Sequence, residues 1–177
     1  MKFAKVRHVK SPDRGTSLSA GIDFFVPEFD MDFLNDLKEK NPHTEYFELP
    51  IDENTMIAKK IILKPQGRIL IPSGIHVNLE DLETNGIALI AHNKSGVGTK
   101  LGLDRLAEVV DEDYQGEIHI SVVNTSRTSV EITPNQKLVQ FLLIPVLYNM
   151  PEEVNYSELY STKSGRGDKG FGQGTGL

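Results

Sequence analysis

The chain is built from short apolar runs separated by turn residues, and this spacing limits the folds open to it. Nine runs have the length and the bounding residues of β-strands: residues 3–9, 21–26, 60–63, 68–71, 74–79, 86–92, 116–123, 129–132 and 137–146. In residues 118–122, apolar side chains alternate with His119 and Ser121, the period of a strand with one buried face. So many short strands in 177 residues predict an all-β fold, either a sandwich or a jelly-roll barrel.

The composition suits a single intracellular domain. Apolar residues make up 38% of the chain and charged residues 25%, as in an ordinary globular domain. The chain has no cysteine, which excludes a disulfide framework and suits a reducing compartment. Residues 1–14 alternate apolar and basic side chains and lack the continuous apolar core of a signal peptide. We therefore expect a cytoplasmic protein.

Charge and hydropathy also argue against two classes of partner. There are 25 acidic and 19 basic side chains, a net charge of −6, whereas a non-specific nucleic-acid binder normally shows a basic stripe. The best apolar run, residues 141–148, is interrupted by Pro145 and is far shorter than the roughly 20 residues of a membrane span. We expect neither a nucleic-acid partner nor a membrane partner.

One segment departs from the strand pattern. Asp30 is suited to a helix N-cap, Pro42 follows the segment, and apolar residues between them recur at helical spacing, namely Met31, Phe33, Leu34 and Leu37. This pattern predicts a short amphipathic helix, followed by a polar loop to about Asn54.

The C-terminal region carries two further predictions. Pro151 is suited to a first helical position, which predicts a second short helix that uses Tyr156, Leu159 and Tyr160. Residues 164–177 then contain six glycines around one aromatic residue, Phe171. By itself such a tail is typical of a flexible terminus. Its basic residues, Arg166 and Lys169, also suit an arm that closes over a phosphorylated base.

Two turns carry polar groups that could take part in chemistry. Residues 93–96, Asn-Lys-Ser-Gly, follow an apolar strand and offer a cation, a hydroxyl and backbone N–H groups that can cradle phosphate, although a plain polar turn has the same composition. Residues 111–117 contain four carboxylates, so we expect one of them to be paired or desolvated unless the turn is fully solvated. The chain has neither a Walker phosphate loop nor a helical pair of histidines that would indicate a zinc hydrolase.

Taken in order, five segments resemble the motifs of the trimeric dUTPase family. They are residues 20–24 (AGIDF), 94–96 (KSG), 110–117 (VDEDYQGE), 135–141 (NQKLVQF) and 166–172 (RGDKGFG). The resemblance implies a distorted jelly-roll β-barrel over residues 1–163 and a flexible Gly-rich closing arm over residues 164–177. Residues 28–57 would be a helical insert of the kind that some viral relatives carry, and a viral member would act in the host cytoplasm.

The resemblance also implies the reaction, which is Mg²⁺-dependent hydrolysis of dUTP to dUMP and pyrophosphate by a homotrimer with shared active sites. Asp111 would be the general base that activates a water for in-line attack on the α-phosphorus. Tyr114 would stack under the deoxyribose and exclude a 2′-hydroxyl. Main-chain groups of about residues 102–110, including Val110, would read the uracil. Here Arg105 and Glu108 stand where relatives commonly carry Asn and Gly.

Phosphate contacts are assigned by the same resemblance. They fall on Lys94, Ser95 and Gly96 of the second motif and on Gln140 of the fourth. Lys94 and Lys137 replace arginines, which keeps the charge but loses the bidentate fork. Asp23 would support Mg²⁺ through water, with no direct protein ligand, because Mg²⁺ is often held mostly by substrate phosphates.

The tail residues complete the implied site. Arg166 would pair with the γ-phosphate and Phe171 would cap the uracil, with Lys169, Gly170 and Gly172 in the same motif. The family's usual tail hydroxyl is missing after Gly172, where Thr175 is the nearest replacement.

Two other interpretations remain open at this point. A dCTP deaminase would share the fold but needs a catalytic glutamate on the strand after the third motif, where this chain has Ser121. A dUTPase with an added partner-binding or regulatory role would use the insert at residues 28–57, whereas a helix packed on the barrel would be a structural decoration.

Overall fold

The computed structural model describes residues 1–44, 60–80 and 86–167. The chain divides into two units, Met1–Leu147 and Tyr148–Leu177. The described part of the first unit contains eleven strands and one α-helix. The strands are β1 (Lys2–Lys5), β2 (Ile22–Asp23), β3 (Ile61–Leu63), β4 (Arg68–Pro72), β5 (Ile75–Asn78), β6 (Ile87–Asn93), β7 (Leu103–Arg105), β8 (Val109–Val110), β9 (His119–Asn124), β10 (Val130–Ile132) and β11 (Val139–Pro145).

These strands pair antiparallel in four small sheets. The orders are β2-β11-β6-β8, β4-β9-β7, β1-β5 and β10-β3. Each of the nine predicted strand segments overlaps one of the strands, so the all-β prediction is confirmed. β7 and β8 were not predicted, because strands of three and two residues are too short to show a strand period.

The core is formed by the inward side chains of these sheets. In β9, Ile120 and Val122 are almost fully buried, whereas His119 and Ser121 on the other face are half-buried. The predicted alternation is therefore confirmed. Phe24, which follows β2, packs against Phe141 of β11, with the ring centroids 4.6 Å apart.

The predicted helix of the insert is present as α1 (Met31–Lys40). The Asp30 carboxylate accepts a hydrogen bond from the Phe33 N–H at 2.9 Å, which is the N-cap that the sequence indicates. Phe33, Leu34 and Leu37 are buried, so α1 contributes its apolar face to the barrel core. The loop predicted to reach Asn54 lies outside the described residues beyond residue 44.

The end of α1 covers the free edge of a sheet. The Asn41 side chain donates to the Leu70 carbonyl at 2.9 Å and accepts from the Leu70 N–H at 2.8 Å, so it takes the place of a neighbouring strand beside β4. It also donates to the Leu37 carbonyl of α1 at 2.7 Å. A single buried amide therefore joins the insert to the barrel and protects an edge that would otherwise be open to pairing.

The second unit shows that the helix predicted from Pro151 is wrong. Its described residues, 148–167, form only turns, one of them closed by a hydrogen bond from the Glu158 N–H to the Asn155 carbonyl at 2.9 Å. Tyr156 and Tyr160 pack edge to face but remain exposed, so no burial offsets the cost of helix nucleation. No helix in the described ranges is long and apolar enough to span a bilayer.

We expect Leu37→Ala to lower the free energy of unfolding by about 2–4 kcal/mol, because it removes a fully buried side chain and leaves a cavity. The matched control on the same helix is Met31→Ala, since the Met31 side chain is 47% exposed. The control should change stability by less than about 0.5 kcal/mol. Urea unfolding of both variants measures the difference, and equal losses would show that α1 does not share the barrel core.

Candidate active site

The pairing of β11 with β2 and β6 brings three of the sequence motifs together. In β11, Gln140 pairs with Asp23 of β2 on one side and with His92 of β6 on the other. Its side-chain amide donates to the Asn93 carbonyl at 3.0 Å. A Cβ at Gly21 would lie 2.2 Å from the Gln140 Oε1, so the glycine of the first motif makes room for the glutamine of the fourth.

A buried carboxylate between two lysines forms the charged centre of this group. Asp23 is 4% exposed, with its Oδ1 2.5 Å from the Lys94 Nζ and its Oδ2 2.9 Å from the Lys137 Nζ. Burial alone would raise the pKa of Asp23, but the hydrogen bonds and charges of the two lysines outweigh it and hold the pKa below its ordinary value. With Asp23 ionised, the Asp23 cluster (Asp23, Lys94 and Lys137) carries a net charge of +1 and suits an anionic ligand.

The turn after β6 presents the remaining second-motif residues to solvent. Lys94 is followed by Ser95 and Gly96, both exposed, and then by a π-helical turn at Val97–Leu101. The Lys94 carbonyl accepts hydrogen bonds from the Val97 and Gly98 N–H groups at 3.0 and 2.9 Å, which holds the turn at the strand end. A Cβ at Gly96 would meet open space, so the turn has a free side for a ligand.

The third motif surrounds an open cavity of about 190 Å³. Val110 ends β8, Asp111 follows it, and the Tyr114 N–H donates to the Asp111 carbonyl at 3.2 Å to close a turn. These residues line the cavity together with side chains from other segments, among them Glu108, His119 and Phe141. Asp111 is exposed, so its carboxylate is open to water.

The Tyr114 ring lies across the backbone of its own loop. Its hydroxyl donates to the Glu117 carbonyl at 3.1 Å, and a Cβ at Gly116 would lie 2.2 Å from the hydroxyl oxygen. Gly116 is therefore required for this ring position. Tyr114 is 43% exposed, so part of its side chain is available to a ligand.

The two unusual residues of the preceding hairpin pair with each other. The Arg105 guanidinium lies 2.8 Å from the Glu108 carboxylate and also donates to the Ala91 carbonyl of β6 at 3.0 Å. The Asn93 side chain supports the same hairpin, since it donates to the Asp104 carboxylate at 2.6 Å and accepts from the Arg105 N–H. Arg105 and Glu108 are thus compatible with an ordered hairpin beside the cavity.

Glu117, one of the four clustered carboxylates, is paired, whereas a solvated acidic turn was the alternative that the sequence left open. Glu117 accepts two hydrogen bonds from Arg7, at 2.9 and 3.0 Å, and one from the Gly74 N–H at 2.6 Å. Sequence reasoning did not identify Arg7, because it lies 110 positions away and only the fold brings it to the third motif.

His119, next to this pair, was also missed as a site residue. It lines the cavity, and its Nε2 is the one buried side-chain polar atom of the described residues that lacks a hydrogen-bond partner. Burial is the main cause that lowers the pKa of His119, and the charge of Lys40 lowers it further. Glu117 and Asp36 act in the opposite direction but do not cancel this shift. The imidazole is therefore neutral at pH 7.

The strand register separates the Asp23 cluster from the cavity within one chain. Val110 lies opposite Leu89 in β6, and Lys94 lies five residues beyond Leu89, immediately after the end of that strand. At about 3.3 Å per residue this places Lys94 about 17 Å from the position of Val110. The antiparallel run of β8 carries Asp111 further away, and none of the Asp23 cluster lines the cavity.

The tail residues fall partly outside the described chain. Arg166 lies in the second unit beside a turn in which the Gly167 N–H donates to the Ser164 hydroxyl at 3.0 Å. The other predicted tail contacts, Lys169, Gly170, Phe171 and Gly172, are beyond residue 167 and outside the described residues.

Known proteins match both the sequence and the fold. The family model described as dUTPase matches residues 55–175. The deoxyuridine 5′-triphosphate nucleotidohydrolase of Legionella pneumophila (strain Paris) is 34% identical over 69% of this chain and 77% of its own length. That of Azoarcus sp. is 32% identical over 69% of this chain and 78% of its own.

The chain belongs to the dUTPase family. This membership confirms the predicted family and the predicted enzyme class, dUTP diphosphatase.

Solved dUTPase structures confirm the predicted jelly-roll fold. The Staphylococcus bacteriophage 80alpha dUTPase with dUPNHPP aligns with a TM-score of 0.69 and 18% identity, over 97% of this chain and 96% of that one. The dUTPase from phage phi11 of S. aureus aligns with a TM-score of 0.63 and 16% identity, over 90% and 98% of the two chains. At identities this low, the structural alignments show only that the folds are alike.

The environment of His119 predicts a pH dependence of stability. Its pKa in the folded dUTPase is below the 6.5 of the unfolded chain, so the unfolded chain binds protons first as the pH falls. Stability should be intact above pH 6.5 and decline as the pH drops below it. Urea unfolding at pH 8 and pH 5.5 measures the decline, which should be smaller in His119→Gln. Equal declines in the two proteins would contradict the assignment.

Proposed function

We propose that the chain hydrolyses dUTP to dUMP and pyrophosphate in active sites shared between the subunits of a homotrimer. The main observation behind this proposal is the third-motif cavity, an open pocket that both Asp111 and Tyr114 line. The chain that forms this pocket belongs to the dUTPase family. The curated relatives carry the name of this activity.

In the proposed reaction, the exposed Asp111 carboxylate accepts a proton from a water molecule. The water oxygen attacks the α-phosphorus in line and forms the new P–O bond of dUMP. The bond from the α-phosphorus to the bridging oxygen breaks, and that oxygen leaves with pyrophosphate. Tyr114 would stack under the deoxyribose, and its bulk would exclude a 2′-hydroxyl.

The proposed phosphate contacts come from the second and fourth motifs. Lys94 and Lys137 supply positive charge beyond what Asp23 neutralises, and the open turn at Ser95 and Gly96 offers a hydroxyl and backbone N–H groups. Gln140 holds the carbonyl of Asn93, and with it the end of β6, in place.

Magnesium fits this arrangement as an ion bound mainly to the substrate. Among the described residues, no three His, Asp or Glu side chains gather into a metal site. Asp23 uses one lone pair on each oxygen for a lysine, and its remaining lone pairs would accept from a metal-bound water. Mg²⁺ bound to the phosphate oxygens would neutralise the charge that develops during the reaction.

The separation of the Asp23 cluster from the cavity supports a shared site. By strand register the backbone positions of Lys94 and Asp111 lie about 17 Å or more apart in one chain, and the Lys94 ammonium is held at Asp23, which does not line the cavity. A neighbouring copy must then supply one of the two groups. Several large apolar side chains near the C-terminus are exposed and suit an interface between copies, namely Leu147, Tyr148, Met150 and Tyr156.

The domain boundary and the closing arm remain part of the proposal. We assign the dUTPase-like domain to residues 1–163, of which the first unit, residues 1–147, contains the barrel and the insert, and the arm to residues 164–177. In the arm, Arg166 would pair with the γ-phosphate and Phe171 would cap the uracil. Lys169, Gly170 and Gly172 would complete the cover, and closure would exclude water from the phosphates.

Asp111→Asn should lower kcat for dUTP by about 10²–10⁴-fold, because the amide cannot take the proton from the attacking water. The matched control is Asp113→Asn, which changes the same charge in the same exposed turn and should retain near-normal kcat. Release of pyrophosphate from dUTP measures both variants, and circular dichroism checks that each is folded. Near-normal turnover by Asp111→Asn would refute the assignment of the base.

Deletion of residues 164–177 should leave folding and assembly intact and lower kcat strongly, because the arm that excludes water from the site is gone. Light scattering reports the assembly and pyrophosphate release reports kcat. A truncated trimer with an unchanged kcat would contradict the role of the arm.

A further inference from the structure

Arg7 joins two carboxylates that belong to different parts of the fold. Its Nε and Nη2 donate to the two oxygens of Glu117 at 2.9 and 3.0 Å, and Nη2 also bonds the Asp36 carboxylate of α1. The three side chains are only 13–22% exposed. Such a charge-assisted, bidentate contact fixes geometry more firmly than a surface ion pair does.

Glu117 in turn holds the backbone on which the Tyr114 ring rests. Its carboxylate also accepts from the Gly74 N–H at 2.6 Å, so the side chain is fixed from two directions. Its own carbonyl accepts the Tyr114 hydroxyl at 3.1 Å. The acceptor of that hydroxyl therefore lies on the residue that Arg7 clamps.

A shift of the backbone at Gly116 and Glu117 would affect the position of the Tyr114 ring. The ring lies against Gly116 so closely that a Cβ there would be 2.2 Å from the Tyr114 hydroxyl oxygen. A displacement of residues 116 and 117 must then move the ring or break its hydrogen bond.

We propose that Arg7 is a positioning residue for Tyr114 and that α1, through Asp36, contributes to the discrimination between deoxyribose and ribose. Arg7 acts through Glu117 and does not line the cavity. The kinetic part of this inference rests on the proposed function, because it assumes that Tyr114 contacts the sugar during dUTP hydrolysis.

Arg7→Lys tests the proposal. Lysine keeps the positive charge but cannot bind Glu117 bidentately while bonding Asp36, so the backbone under the ring is less constrained. The ratio of kcat/KM for dUTP to kcat/KM for UTP should fall about threefold to tenfold, the size of effect that coupled contacts produce. The matched control is Lys60→Gln, which breaks the exposed Lys60–Glu131 ion pair away from the cavity. The control should keep the wild-type ratio.

Asp36→Asn separates the role of α1 from that of Arg7. It weakens the contact to the helix but leaves the Arg7–Glu117 pair, so the ratio should fall by a smaller factor than in Arg7→Lys. Glu39→Gln removes one negative charge from the exposed surface of the same helix and should leave the ratio unchanged.

Hydrogen–deuterium exchange of residues 111–118 gives a readout that does not depend on activity. Exchange in this segment should rise in Arg7→Lys and remain at the wild-type level in Lys60→Gln. A lower unfolding midpoint with an unchanged dUTP/UTP ratio and unchanged exchange would show a purely structural ion pair and overturn the inference. A wild-type chain without dUTP hydrolysis would instead refute the proposed function, and the exchange data would still decide whether Arg7 holds the Tyr114 loop.

Discussion

The long pairing between β6 and β11 is the contact on which the rest of the barrel depends. Seven residue pairs, from Val139–Asn93 to Pro145–Ile87, join the two strands. β2 attaches to the free side of β11 and β8 to the free side of β6, so these two strands carry the first, second, third and fourth motifs in one sheet. Because register in such a ladder is fixed residue by residue, it also fixes which motifs meet.

The same strand register explains why the candidate site residues of one chain form two separate sets, the Asp23 cluster and the residues around Asp111. β2 joins β11 near Gln140, where the Asp23 cluster forms, whereas β8 joins β6 at Leu89 and Ile90 and leads the chain away from Lys94. The charge that suits a triphosphate and the carboxylate that suits a base therefore lie at different places on one sheet. The proposed trimer would resolve this separation by placing one of these sets of each chain beside the other set of a neighbouring chain.

Local sequence patterns predicted the elements whose formation depends mainly on residues that are close together in the chain. They include nine strand segments, the Asp30 cap and the buried face of α1. The short strands β7 and β8 were missed because neighbouring strands and the Arg105–Glu108 pair define them. The helix predicted from Pro151 failed because its apolar residues stay exposed. Contacts such as Asn41 with Leu70 join residues 29 positions apart, so no local pattern could indicate them.

In the proposed phosphate site, Lys94 and Lys137 stand where the resemblance implies arginines, and this changes how the charged group is built. A lysine has three donors around one nitrogen, so Lys94 and Lys137 can each give one hydrogen bond to Asp23 and keep two for phosphate oxygens. The carboxylate of Asp23 holds the two flexible ammonium groups close together, which offsets the loss of the rigid guanidinium fork. Removal of Asp23 would leave two like charges side by side and without a fixed orientation. Asp23 thus organises the two lysines, and the lysine pair depends on it more than arginines would. In the proposed site, Asp23 would also support a metal-bound water.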